Sequence, residues 1–141
     1  MPTSKFFVDI PVRYGDLDPQ GHVNNSRHLT FMEQARMAYL IELGLWNGES
    51  FLDLNLIVAD AHVVYLAPIF IHQTVRVYTR VARMGNKSLS FEYELVDAAT
   101  GEALARGDTA MVTYDYRELH SMPIPPDWRA RITAYEPAGE Q

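Results

Sequence analysis

The 141-residue chain contains no cysteine. That excludes disulfides, thiolate nucleophiles and any zinc site built on sulfur, and leaves the compartment open. No apolar run approaches the roughly 20 residues of a membrane-spanning helix. Asp9 interrupts the short apolar stretch near the N-terminus, so no signal peptide stands out. Positive charge is in deficit, with 12 Lys and Arg against 18 Asp and Glu and a formal net charge of −6. A chain so charged lacks the broad electrostatic footprint of a nucleic-acid binder, although a local basic cluster could still hold a phosphate. Internal repeats, low-complexity tracts and linkers are also missing. A soluble, cytoplasmic protein is expected, without membrane or nucleic-acid partners, and with residues 1–141 forming one domain.

Hydrophobic residues make up 48% of the chain, enough for a single core. The run from Phe6 to Tyr14 reads as a strand. Between Ser26 and Leu43 the apolar residues Leu29, Met32, Ala35, Tyr39 and Leu43 recur at steps of three and four, which predicts a helix. Phe31, Ala38 and Leu40 widen its apolar surface, and Gly44 is placed to close it. A short helical piece is expected from Leu45 to about Leu54. Alternation then predicts strands over Leu56–Leu66, Thr74–Arg83, Ser88–Val96 and Ala103–Tyr116, with a hairpin turn at Met84–Lys87. After a proline-rich stretch, a last helix covers Asp127–Ala134. The pattern predicts an α+β domain in which a long helix packs on an antiparallel meander. Leu104, Ala105, Ala110, Met111 and Val112 put apolar residues on both faces of one strand, which calls for a second subunit as cover.

Chemistry concentrates in Tyr14–Asn25, which reads Y-G-D-L-D-P-Q-G-H-V-N-N. Pro19 and Gly21 set a tight turn. Asp18 can attack a polarised carbonyl directly or activate water as a general base. Amides near Asn24 to Ser26 lie at a helix N-terminus, where backbone N–H groups lack partners and the dipole favours negative charge. The same asparagines are good N-caps, a role compatible with presenting those amides. Asp16 suits a structural role beside Arg13. His22 could orient Asp18, contact substrate, or satisfy backbone groups.

The order of strand, Y-G-D-x-D-P-x-G-H-V-N-N, long helix and antiparallel strands resembles the hotdog-fold acyl-CoA thioesterases, in particular the 4-hydroxybenzoyl-CoA thioesterase-like family. Phe31–Arg36 resembles that family's F-x-E-x-A-R stretch, and Tyr65-Leu66-Ala67-Pro68 and Arg83–Ser88 follow in matching order. The resemblance implies that Asp18 is the catalytic carboxylate and that the Asn25 backbone amide receives the thioester oxygen. It implies an acyl-CoA or acyl-carrier-protein substrate, sites at a homodimer interface, and dimers paired into tetramers. His28 stands where many relatives carry Tyr. Together with Asn24 and Tyr65 it is expected near the acyl group.

Glu33 competes for the acid role, because another branch of these enzymes uses a helix glutamate. Arg36 at i+3 offers it a local ion pair instead. Arg80, Arg83 and Lys87 cluster near one hairpin and could hold the coenzyme's phosphates. His62 and His72 have no metal-site spacing, so no metal is expected, and no cofactor beyond the coenzyme A carried by the substrate. A hotdog domain that binds acyl-CoA without hydrolysing it is the competing reading. The Asp and His pattern of hotdog dehydratases is not found.

Overall fold

Alternating apolar and polar residues in the second half of the chain build one antiparallel sheet, and the helix ahead of it covers one face. The computed structural model describes residues 4–136. Its strands are β1 (Phe6–Pro11), β2 (Leu56–Tyr65), β3 (Thr74–Met84), β4 (Ser88–Asp97), β5 (Ala103–Asp115) and the short β6 (His120–Ser121). The helices are α1 (Arg27–Glu42) and α2 (Pro126–Tyr135).

Strand order is β1-β3-β4-β5-β2, with β6 paired to the end of β5. Only β3, β4 and β5 form the expected meander. β2 pairs with β5 instead of its sequence neighbour β3, and β1 takes the place beside β3. Two further expectations are corrected. The first strand stops at Pro11, and Tyr14–Asp16 winds into a 3-10 turn. Leu45–Leu54 holds only the 3-10 turn Phe51–Asp53, with the Ser50 hydroxyl accepting from the Leu52 N–H at 3.2 Å.

The buried face of α1 is His28, Phe31, Met32, Ala35, Arg36, Tyr39 and Leu40. Leu29, expected in the apolar stripe, is 43% exposed. The helix packs on Val75, Val77, Val81, Phe91, Leu95, Leu104 and Met111, all in one core. Burying each large side chain stabilises by ~1.5–3 kcal/mol. Gly107 on β5 permits the close approach: a Cβ there would lie 2.7 Å from the His62 carbonyl oxygen and 2.9 Å from Met32 Cε.

The core also holds polar groups. Arg36 donates to Tyr93 Oη at 3.0 Å, and Tyr93 Oη lies 2.8 Å from Thr109 Oγ1. Tyr39 donates to the buried Glu136 carboxylate at 2.5 Å, and the Val81 N–H donates to the same oxygen at 3.2 Å. α1 ends at Gly44 with φ +72°, as glycine allows. Arg131 of α2 then donates to the Gly44 carbonyl at 2.8 Å, placing a cation on the negative end of the α1 dipole. With its C-terminal end clamped, α1 holds its N-terminal end beside the Asp18 segment.

Candidate active site

The segment after β1 folds into a small hairpin held almost entirely by main-chain bonds. Asp16 is 1% exposed, and its carboxylate accepts the Arg13 N–H at 2.9 Å and the Arg13 guanidinium at 3.3 Å. Leu17 and Val23 form an antiparallel bridge. The Asp18 N–H donates to the His22 carbonyl at 3.0 Å, and the Gly21 N–H returns to the Asp18 carbonyl at 2.9 Å. Gly21 takes φ +86°, which explains a glycine at the tip. The Asn24 N–H closes the segment on the Asp16 carbonyl, and the Val23 N–H donates to the Ile69 carbonyl, fastening the hairpin to the body of the protein.

Asp18 emerges on the shoulder of this hairpin. One carboxylate oxygen accepts the Gln20 N–H at 2.9 Å, and the other lies 3.8 Å from His22 Nδ1. At the start of α1, Asn24 Oδ1 accepts both the Ser26 N–H at 2.9 Å and the Ser26 hydroxyl at 2.7 Å. The Asn24 side chain is thereby turned into the helix end. Among the described residues the Asn25 amide has no hydrogen-bond partner.

Asp18, His22, Asn25, His28 and Tyr65 line one cleft of about 490 Å³, with Val23 and Leu66–Ile69 as its apolar lining. His28 is 4% exposed and meets Tyr65 edge-on, with ring centroids 4.7 Å apart. Burial pushes its pKa below the ordinary histidine value, against the opposing pull of the Asn24 and Asn25 backbone, so the ring is neutral at pH 7. Tyr65 donates its hydroxyl proton to the Asn25 carbonyl at 2.9 Å.

The remaining candidates lie elsewhere. Glu33 is exposed, sits 3.8 Å from Arg36, and lines a separate cleft with Phe51, Leu54 and Ile57. Arg80 is on the sheet face opposite α1, where it pairs with Glu92 at 2.6 Å. Arg83 shares a shallow depression with it, and Lys87 is exposed at the β3–β4 hairpin; none of the three lines the Asp18 cleft. Sequence reasoning did not single out Gln20, Val23 or Ile69, which the structure brings to the cleft. Pro68, which ends pairing after β2, was the available sign that the chain turns back there. Among the described residues no group of three or more His, Asp or Glu side chains is placed to hold a metal ion.

The thioesterase-like superfamily matches this chain over residues 12–132. A thioesterase from Thermus thermophilus, solved with coenzyme A and Zn, superposes with a TM-score of 0.84 at 33% identity, covering 96% of this chain and 98% of that one. The PA5185 protein of Pseudomonas aeruginosa PAO1 gives 0.82 at 31% identity, over 96% and 94% of the two chains. A thioesterase-superfamily structure from Jannaschia sp. CCS1 gives 0.86 at 25% identity, over 97% and 96%. With the family model matching most of the chain and the fold shared with these structures, the chain belongs to the thioesterase-like superfamily and has its hotdog fold.

Proposed function

We propose that the protein hydrolyses acyl-coenzyme A thioesters, with Asp18 as the reacting carboxylate and the Asn25 amide as oxyanion donor. The observation that carries this reading is the convergence of the Asp18 carboxylate and the unpartnered Asn25 N–H on one cleft. A thioester carbonyl is reactive enough to need only these two functions. In the general-base route, Asp18 takes a proton from water while the water oxygen bonds to the carbonyl carbon. The oxyanion forms at the Asn25 amide, where the α1 dipole favours negative charge. Collapse breaks the C–S bond, and the departing thiolate recovers the proton. In the nucleophilic route an Asp18 oxygen displaces the thiolate, and water then cleaves the mixed anhydride. His22 lies 3.8 Å from Asp18, with its Nδ1 at 3.2 Å from the Val23 carbonyl, and stands beside the acid in either route.

Coenzyme A in the Thermus relative supports the choice of leaving group. An acyl-carrier-protein donor presents the same thioester and stays the alternative. Free β2 supports the homodimer. It is an edge strand carrying exposed Ile57, Val58, Val64 and Tyr65. Antiparallel pairing of two β2 edges about a two-fold axis would lay the Leu56 end of one copy beside the Tyr65 end of the other. The partner's Glu33 cleft, lined in part by Leu56–Val58, would then come beside the Tyr65 end that borders the Asp18 cleft. Pairing of dimers into tetramers extends the same reading.

The test is thiol release from a panel of acyl-CoAs by purified protein, with Asp18→Asn as control. The variant should lose ~10²–10⁴ in kcat while keeping its fold. Unchanged turnover would move the acid role to Glu33. Thermal stabilisation by acyl-CoA with no thiol released by the wild type would favour a binding module over an enzyme.

A further inference from the structure

We infer that Tyr65 is a positioning residue for the oxyanion donor, holding the peptide group that sets the direction of the Asn25 amide; this rests on the hydrolase reading above. The Asn25 carbonyl and the Ser26 N–H belong to one rigid peptide plane. That plane is held at both ends. Its oxygen accepts the Tyr65 hydroxyl at 2.9 Å, and its N–H donates to Asn24 Oδ1 at 2.9 Å. The Asn25 N–H lies on the adjoining plane, two dihedral angles (φ and ψ of Asn25) away across the Asn25 Cα. That adjoining plane is held where the Asn24 carbonyl accepts the Arg27 N–H at 2.9 Å, and the Tyr65 bond fixes the plane beside it, so little freedom is left for the Asn25 N–H.

Tyr65 suits this role by its origin as well as its bond. It is the last residue of β2, so its backbone is fixed by pairing with Ala105 of β5, while the Asn25 carbonyl it holds lies 40 positions earlier in the chain. Its ring is steadied by the edge-on contact with the buried His28. The hydroxyl thus ties the sheet to the first residues before α1, in addition to the main-chain bonds Val23 N–H to Ile69 and Asn24 N–H to Asp16. The proton of this hydroxyl is committed to the Asn25 carbonyl. Tyr65 therefore acts on the reaction through Asn25.

Tyr65→Phe removes the bond and keeps the ring against His28. With an acyl-CoA that the wild type turns over, kcat should fall about tenfold, because misaligning a reacting group by a fraction of an ångström is costly. KM and the thermal midpoint should stay at wild-type values. Affinity for a thioether analogue of the same acyl-CoA should also be unchanged, since it has no carbonyl oxygen for the amide to meet. A kcat within twofold of wild type would overturn the inference. So would a raised KM at constant kcat, which would make Tyr65 a substrate contact, or a fall in kcat matched by lost folded protein. A wild type that releases no thiol from any acyl-CoA would remove the hydrolase reading and this inference together. An active wild type with an unaffected variant would remove the inference alone.

Discussion

Replacing Tyr39 by Phe tests how the end of α2 is bound to the core. Tyr39 is fully buried, and its hydroxyl donates to the Glu136 carboxylate at 2.5 Å. Glu136 is 5% exposed, and among the described residues the same oxygen accepts one other donor, the Val81 N–H at 3.2 Å. Phe keeps the ring and its edge-on contacts with Phe6, Phe91 and Tyr135, at centroid distances of 5.6, 5.7 and 5.9 Å. The lost quantity is therefore one hydrogen bond to a buried charged acceptor, which contributes ~1.5–3 kcal/mol. A destabilisation of about 2 kcal/mol lowers the thermal midpoint of a domain this size by roughly 6–8 °C. Urea unfolding at fixed protein concentration, followed by fluorescence and circular dichroism, measures it. Glu136→Gln and the double variant complete a cycle in which the two changes should couple by ~1 kcal/mol. A loss below about 0.5 kcal/mol, or no coupling, would refute the reasoning. Burial first, and then the Glu136 carboxylate, hold the Tyr39 pKa above the ordinary tyrosine value. The native state keeps a proton that the unfolded chain releases, so this stability is present below about pH 10 and erodes above it. Tyr39→Phe should flatten that alkaline decline.

Two further outcomes follow from the packing of α1. Gly107→Ala should cost ~1–3 kcal/mol, because the new methyl meets the backbone oxygen of His62 on β2, which cannot move aside as a side chain could, and Met32 of α1; unfolding curves equal to wild type would show that both β2 and α1 can give way. His28 has a lowered native pKa, so its contribution to stability is present above about pH 6.5 and lost as pH falls, when the unfolded chain binds the proton more readily. Stability measured from pH 7.5 to 5 should decline less steeply in His28→Phe, and parallel curves would contradict a buried neutral histidine.

Much of the fold could be read along the chain because helix and strand periods are local. Val75, Val77, Thr79 and Val81 alternate with Arg76, Tyr78 and Arg80, and the structure buries the first set. Strand neighbours are not local. Nothing in Leu56–Tyr65 says that it pairs with β5, since that choice rests on where α1 delivers the chain. Leu29 fits the apolar stripe by period yet is exposed, while Arg36 is buried because Tyr93 and Glu33 receive its guanidinium. At the site, proximity in sequence served Asp18, His22 and Asn25, which share a cleft. Arg80, Arg83 and Lys87 do not line that cleft. They are close along one hairpin, but strand alternation turns Arg80 to the face away from α1 and commits it to Glu92.

The Asp18 hairpin is held by amides and carbonyls, apart from the Asp16 and Gln20 contacts, and this separates two jobs that active sites often entangle. Val23 and Ile69 line the cleft from the buried core, but the Leu66 side chain lines it from the surface, 47% exposed, and makes none of the hairpin's bonds. Substitutions there can recast the space offered to an acyl group without moving the carboxylate that would attack it. Such an architecture allows substrate preference to drift between relatives while the acid and the helix end stay in register, so a family can diversify its substrates with one reaction intact.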